Sequence, residues 1–458
     1  MMKNFNVKFF SMLLFAALMS VSFTACGNDD DDDPIENGRN DDNGTGIVNN
    51  GGNGDEKLTP DDEKNFLDET ARLFLSYFDA NDFQELVNVS KQLETVSDDD
   101  KVFDKWAEGF LSNTLTGIEE AHASSYNYDM YLKISYYDRL LVASNFNGKF
   151  SASYNGKWKK DGESNDLILS FTDKDNVEWV MTVKKSGNIK GKIHASNSSS
   201  GSYVDKYKYS EQRYNNYIEI PENVNVIVTR QGKEQINIKL NVASMDIKNG
   251  QYDITSSLNA TATGNVVGYN FEVAFNYAPN AVSTFNATLK KNSTLLYSRK
   301  LSARIIAEGK EVTDVKDAKC DIDILGRVQM SIASDNAFDL NNALNAVSDY
   351  DEDGNRDSWD LEKTKAHANE ANKALNKAYI TNNGGRAEQA TMNFVTEEYD
   401  EYWQNSWEHK GKSYRVVPAL KFADGTSYLF DEYFTKAAFG GTIDSFNDLV
   451  NRFKKLDK

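Results

Sequence analysis

The sequence has little proline and cysteine, and it lacks most of the short motifs that carry chemistry. Only 5 prolines, 2 cysteines and 4 histidines occur in 458 residues, and no His-Glu-x-x-His pattern is present. There is also no phosphate-binding P-loop, no dinucleotide-binding glycine fingerprint and no Gly-x-Ser-x-Gly turn. The sequence therefore gives no local sign of a zinc hydrolase, a nucleotide-dependent enzyme or a serine hydrolase, and we expect no catalytic residues.

Basic residues are outnumbered by acidic ones. The chain has 51 Lys and Arg against 70 Asp and Glu, which gives a formal net charge of -19. Proteins that bind nucleic acid need clustered Lys and Arg to displace the counterions of the phosphate backbone. We therefore expect no nucleic-acid partner. The chain is not disordered overall, because it contains 25 Phe, 23 Tyr and 6 Trp, enough aromatic surface for a folded core.

The first 25 residues have the layout of a secretory signal peptide. Lys3 and Lys8 come before an apolar run over residues 9–23, which is short and interrupted by serine, unlike a membrane span. Residues 23–26, FTAC, resemble the cleavage box of bacterial lipoproteins, with Phe where Leu is commonest. The resemblance implies that Cys26 becomes the acylated first residue of the mature chain and attaches it to a membrane.

Five consecutive aspartates follow at residues 29–33. They resemble the acidic tag with which some Gram-negative bacteria send lipoproteins to the cell surface, which implies an outer-membrane protein facing the cell exterior. The alternative is an ordinary signal followed by a solvated acidic linker. Residues 26–57 are rich in Gly, Asn and Asp, so they predict a flexible tether with a reach on the order of 30 Å.

The rest of the sequence predicts an α+β fold in which an extended antiparallel sheet of long meander strands is covered by N-terminal and C-terminal helices. Helical spacing of apolar residues predicts a helical segment over 58–125, and alternating apolar and polar residues predict a β region over 126–310. Residues 311–458 predict a mixed, helix-rich region, including a helix over 361–380 and another from about residue 388 to 411. Residues 58–458 could form one composite domain.

One loop resembles the calcium loop of EF-hand and dockerin modules. DYDEDGNRDSWD, residues 349–360, places acids at alternating positions and glycine at the sixth, which suits a cation that prefers six to eight oxygen ligands. Arg356 at position 8 and an aspartate at position 12 depart from the usual pattern. The resemblance implies a calcium site that braces two helices, and the alternative is a solvated loop. The implied ligands are Asp349, Asp351, Asp353, Asn355 (through its carbonyl), Asp357 and Asp360.

A second cluster, TEEYDEYWQNSWEH, covers residues 396–409. On a helix, Tyr399, Trp403 and Trp407 share a stripe, which predicts either a platform for sugar rings beside carboxylates or an aromatic face packed on the sheet.

The sequence thus favours a lipid-anchored surface lipoprotein with a non-enzymatic binding or structural role. The alternatives are a glycan-binding or an acyl-chain-binding protein and, after those, a hydrolase of extracellular polymers. A glycan, a lipid or a protein could be the partner.

Overall fold

The fold was examined in a computed structural model of the chain. The structure describes residues 57–95, 111–125, 128–145, 147–205, 208–247, 250, 254–309, 311–347, 356–382, 387–400 and 412–456. The predicted signal peptide and residues 26–56 of the predicted tether, including Cys26, therefore lie outside the described residues. The described part of the chain is mostly β-sheet. It contains an extended antiparallel meander and a few helices towards the two ends of the chain.

The first helix begins with a side-chain cap. Thr59 is the N-cap, because its hydroxyl accepts a hydrogen bond from the Asp62 amide, and Pro60 occupies the first helical position. Within the described residues the helices are α1 (Pro60–Ser76), α2 (Gln84–Thr95), α3 (Ala337–Ala346), α4 (Leu361–Ala374), α5 (Phe430–Tyr433) and α6 (Gly440–Leu456). Among these described helices, none combines the length and apolar character that crossing a membrane requires.

The described strands belong to an 18-stranded sheet. They are β1 (Leu111–Ser125), β2 (Tyr128–Leu141), β3 (Gly148–Ala152), β4 (Lys159–Gly162), β5 (Leu167–Thr172), β6 (Glu178–Asp205), β7 (Lys208–Arg230), β8 (Lys233–Asp246), β9 (Ser257–Val266), β10 (Tyr269–Tyr277), β11 (Val282–Lys291), β12 (Thr294–Glu308), β13 (Glu311–Ile324), β14 (Val328–Asn336), β15 (Leu375–Asn382), β16 (Ala387–Asp400), β17 (Lys412–Phe422) and β18 (Ser427–Leu429).

Most strands pair with their neighbours in the sequence. From β5 to β18 each strand is antiparallel to the next, which makes one long meander. The long strand β7 also joins the sheet to an earlier hairpin. It pairs with β6 on one side, while on the other side residues 208–218 pair in parallel with β2 and residues 223–230 pair with β8. The sheet therefore branches between these two halves of β7.

The larger core lies where the terminal helices meet the sheet. Phe83, which follows α1, stacks on Tyr269 of β10 at 5.3 Å and lies 5.4 Å from Phe453 of α6. Buried Trp179 of β6 and Leu449 of α6 belong to the same apolar cluster. Burial of side chains this large is the main stabilising contribution, at roughly 25 cal/mol per Å² of apolar surface.

A smaller core joins the start of α1 to the last strands. Ile380 of β15, Leu420 of β17 and Tyr433 of α5 are buried together, with Phe66 of α1 packed against them. The Tyr433 hydroxyl donates a hydrogen bond to the Pro60 carbonyl at 3.3 Å. The beginning of the described chain is thereby anchored to its C-terminal third.

Three expectations about individual elements are wrong. The predicted helix over 361–380 ends at Ala374, because the following residues form β15 and pair with β14. The helix predicted from residue 388 is instead strand β16, which pairs with β15 and β17. Strand β1 lies inside the segment expected to be helical, 58–125.

Candidate functional site

Helices α3 and α4 flank the segment that resembles a calcium loop. Helix α3 begins after Asn336, whose side-chain oxygen accepts from the Asp339 amide at 3.1 Å. The Ser358 amide donates to the Val347 carbonyl at 2.9 Å, which joins the residue before the loop to one near its end. This hydrogen bond thus joins described residues on the two sides of the loop.

The two described members of the implied calcium set contact α4. Oδ1 of Asp360 accepts from the amides of Glu362 and Lys363 at 2.8 and 3.1 Å, so Asp360 is the N-cap of α4. Oδ1 of Asp357 accepts from Lys363 Nζ at 2.9 Å, and its Oδ2 lies 2.9 Å from His367 Nε2. Both carboxylates have partners on α4, and calcium would have to share or replace them.

The other implied ligands, Asp349, Asp351, Asp353 and Asn355, lie outside the described residues. Among the residues that the structure does describe, no group of three or more His, Cys, Asp or Glu side chains is arranged to hold a metal ion. The calcium site therefore stays a prediction.

Asp357 and His367 form the first contact in a row of charged groups along α4. The hydrogen bond with His367, followed by that with Lys363, lowers the pKa of Asp357 below its ordinary value. On the other side of the imidazole ring, Nδ1 lies 3.7 Å from Glu370 Oε2. The hydrogen bond at Nε2 orients the ring, since the buried Nδ1 makes no hydrogen bond among the described residues.

This row borders an open groove of about 510 Å³ between α3 and α4. The groove is lined by carboxylates, side-chain amides, one lysine, one histidine and three alanines: Asp335, Asn336, Asp339, Asn342, Ala343, Ala346, His367, Glu370, Lys373, Ala374 and Asn376. Carboxylate and amide oxygens suit hard cations and the hydroxyl groups of polar ligands. No serine, threonine, tyrosine or cysteine is among these described lining residues, so the groove offers no hydroxyl or thiol nucleophile.

A second recess, of about 610 Å³, borders the end of α4 and strands β15 and β16. Asn372 of α4 borders it and joins the helix to the sheet: its Nδ2 donates to the Phe394 carbonyl, and its Oδ1 accepts from the Phe394 amide, both at 2.7 Å. Tyr379 and Met392 also line this recess. The side-chain clamp at Asn372 fixes the position of α4, and therefore of the first groove.

The predicted aromatic platform is described only at its first residue. Tyr399 lies on β16 opposite Ser413, with the Arg415 guanidinium 5.6 Å from its ring centre. Trp403 and Trp407 lie outside the described residues. The helical spacing that groups the three rings does not hold at Tyr399, because this residue belongs to a strand.

Two acids beside that platform do not face one another. Glu397 and Glu398 are successive residues of β16, so their side chains point to opposite faces of the sheet. Glu397 Oε2 accepts from Arg415 Nε at 2.6 Å, whereas Glu398 Oε1 lies 2.6 Å from Lys412 Nζ. An acid and base pair acting on one glycosidic bond cannot be built from these two carboxylates in this arrangement.

The sequence interpretation missed His367, Glu370 and Asp339 as members of one groove. His367 and Glu370 have the i, i+3 spacing of neighbours on a helix face, which was visible in the sequence. The pairing of that face with α3 depends on strand β15, which the sequence pattern did not reveal.

Comparison of the chain with protein-family models, with curated proteins and with solved structures finds no match.

Proposed function

We propose that the chain is a lipid-anchored lipoprotein of the outer membrane, facing the cell exterior, with a non-enzymatic binding role. The lipoprotein-like box at Cys26 and the aspartates at residues 29–33 support the anchor and the address. Residues 26–57 serve as the tether that holds the folded part away from the acidic membrane surface. In that part, helices from both ends cover the sheet.

The binding role is proposed on the basis of the groove between α3 and α4. Three carboxylates and three side-chain amides line it, with no hydroxyl or thiol group among these described residues, and His367 already contacts Asp357 and Glu370. Such a site can hold a cation or a hydroxyl-bearing ligand by charge and hydrogen bonds.

We infer further that calcium binds residues 349–360 and braces α3 against α4. The hydrogen bond between Ser358 and Val347 joins described residues on either side of this segment, which supports the inference. A cation bound there would also offset the repulsion between the loop and the acids of the groove. Calcium is in this view structural, and millimolar-range affinity is enough outside the cell.

Of the two narrower alternatives, the described residues give less support to an acyl-chain carrier. Such a carrier needs an apolar cavity between sheet and helices. The corresponding space is occupied by large side chains, among them Phe83, Trp179 and Tyr269. The glycan-binding alternative depends on Trp403 and Trp407, and alanine substitution of either should abolish retention on immobilised glycans if the rings stack on sugars.

Native mass spectrometry of the full chain tests the binding role and the calcium loop together. The protein is purified in detergent without chelator and compared with an Asp353→Asn variant. We expect a calcium-sized mass increment in the wild type that is lost in the variant, because Asp353 supplies one of the implied ligands. A bound organic species retained in both proteins would identify the ligand class of the groove.

Asp444→Asn is the matched control, since Asp444 is exposed on α6, away from the groove. This variant should keep every increment seen in the wild type. If the wild type shows no calcium-sized mass increment at millimolar calcium, the calcium-loop hypothesis is wrong. If neither a cation nor a hydroxyl-bearing ligand binds to the wild type, the proposed binding role is wrong.

A further inference from the structure

A buried carboxyl group joins the first turn of α1 to the end of β15. Glu63 and Asn382 are each 1% exposed, and Asn382 Nδ2 donates a hydrogen bond to Glu63 Oε2 at 2.5 Å. The two residues are 319 positions apart in the sequence. Their contact is one of the few points at which the N-terminal helix is held to the C-terminal strands by a polar group.

The second oxygen of each partner lacks a hydrogen bond. Among the described residues, neither Glu63 Oε1 nor Asn382 Oδ1 has a partner, although both atoms are buried. Both are acceptors when the carboxyl group is ionised, and a buried polar atom left unpaired is costly. A proton on Glu63 Oε1 turns that atom into a donor. An acid and a carboxamide can then satisfy each other through two hydrogen bonds in a ring.

Charged and titratable groups near Glu63 include Asp61 and Lys64 on α1, Tyr428 on β18 and Tyr433 on α5. Lys64 Nζ lies 3.5 Å from Asp61 Oδ1 and 4.8 and 5.0 Å from the centres of the two tyrosine rings. Within the described part of the chain, no lysine, arginine or histidine forms an ion pair with Glu63.

The energetics agree with this geometry. Burial raises the pKa of Glu63 to about 7, against the opposing effect of the hydrogen bond from Asn382. The pKa of Tyr433 is also raised, by burial and by the negative charges of Glu63 and Asp61, so this phenol stays neutral.

We propose that Glu63 is a protonation switch that controls the attachment of α1 to the end of β15, closed when the carboxyl group is neutral and loosened when it is ionised. The proton comes from solvent and returns to it. The affected contacts are those at the start of α1, where the Leu58 amide donates to Gln389 Oε1 at 2.7 Å and Tyr433 donates to the Pro60 carbonyl. This is the point at which the tether enters the fold.

Hydrogen exchange of the α1 amides in the full chain tests the switch. The Glu63 carboxyl group has a higher pKa in the closed state than its ordinary value of 4.5. The extra stability of the closed state is therefore complete below pH 4.5 and is lost as the pH rises through about 7. After correction for intrinsic exchange, protection of the α1 amides should fall about tenfold per pH unit between about pH 5 and pH 7 and level off above.

Two variants on the same helix provide the comparison. Glu63→Gln keeps the size of the side chain and both hydrogen bonds without a titratable group, so its protection should not vary with pH. Glu69→Gln removes an acid that is half-exposed on α1, and it should keep the wild-type profile. If protection of the α1 amides in the wild type does not change with pH, the switch is overturned. It is also overturned if Glu63→Gln shows the same change of protection with pH as the wild type. If Glu63→Gln fails to fold, the pH dependence of protection in the wild type and an NMR titration of the Glu63 carboxyl carbon together test the switch.

Discussion

The indole Nε1 of Trp179 donates a hydrogen bond of 3.1 Å to Oδ2 of Asp173, and both side chains are buried. The other carboxylate oxygen accepts from the amides of Asp175 and Val177 at 3.0 and 2.9 Å. One carboxylate thus holds the turn between β5 and β6 and positions the largest side chain of the main core.

Asp173→Asn should lower the free energy of unfolding by about 1–3 kcal/mol at neutral pH, because the amide nitrogen cannot accept the indole hydrogen. Burial opposes ionisation of Asp173, but the hydrogen bonds from Val177 and Trp179 prevail and lower its pKa. The stabilising contribution is therefore present above the ordinary value of 3.8 and lost as the pH falls through the folded-state pKa.

Urea unfolding at neutral and acidic pH measures this difference, which should shrink in acid. Asp175→Asn is the control, since Asp175 lies in the same turn but is exposed. Equal stability of wild type and Asp173→Asn at neutral pH would contradict the role of the carboxylate.

Asp360 has a capping role that can be separated from calcium ligation. Asp360→Ala should destabilise the protein by about 1 kcal/mol without calcium, because α4 loses its N-cap, whereas Asp360→Ser should keep the cap. If Asp360 is also a calcium ligand, both variants lose the stabilisation that calcium adds. Thermal unfolding with and without calcium distinguishes the two roles, and full calcium stabilisation of Asp360→Ser would remove this residue from the ligand set.

Asn372 is predicted to fix α4 on the sheet. Asn372→Ala removes both hydrogen bonds to the backbone of Phe394 and leaves a partly buried amide and carbonyl unpaired, at a cost of about 1–3 kcal/mol. Chemical denaturation measures the loss. Asn376→Ala, at an exposed position two residues into β15, should change stability by less than about 0.5 kcal/mol. Similar losses for the two variants would count against the clamp.

Cys26→Ser should abolish membrane attachment. The acyl chains implied by the lipoprotein-like box supply the anchoring energy, at about 0.8 kcal/mol per buried methylene group. Mass spectrometry of the wild type should show the acyl mass on Cys26, and the variant should move to the aqueous phase in detergent partitioning. Cys320→Ser is the control and should remain acylated. A wild type without acyl mass would leave the chain with an ordinary signal and linker.

The sequence predicted the meander well because its signal is local. Alternation along β10, with Phe271, Val273 and Phe275 on one face, needs no knowledge of the neighbouring strands. The helices α1 and α2 were predictable for the same reason, through caps and apolar spacing.

Elements that depend on distant partners were not predictable in this way. The residues after Ala374 are good helix formers, but β14 offers them a free edge, and pairing in the sheet outweighs intrinsic propensity. Strand β16 carries acids and aromatics whose order also fits a helix, and its pairing with β15 and β17 decides the outcome. The contact between Glu63 and Asn382 was also not predictable from the sequence, because the two residues are 319 positions apart.

The contacts of α1 have a consequence for the order in which the protein can fold. The Thr442 amide donates to Asp68 Oδ1 at 2.9 Å across 374 positions of sequence, so α1 packs against a segment that is synthesised near the end of the chain. Neighbouring strands of the meander are close in sequence and can form as hairpins while the rest of the chain is still emerging. The earliest described helix to be synthesised is therefore among the last elements to be buried.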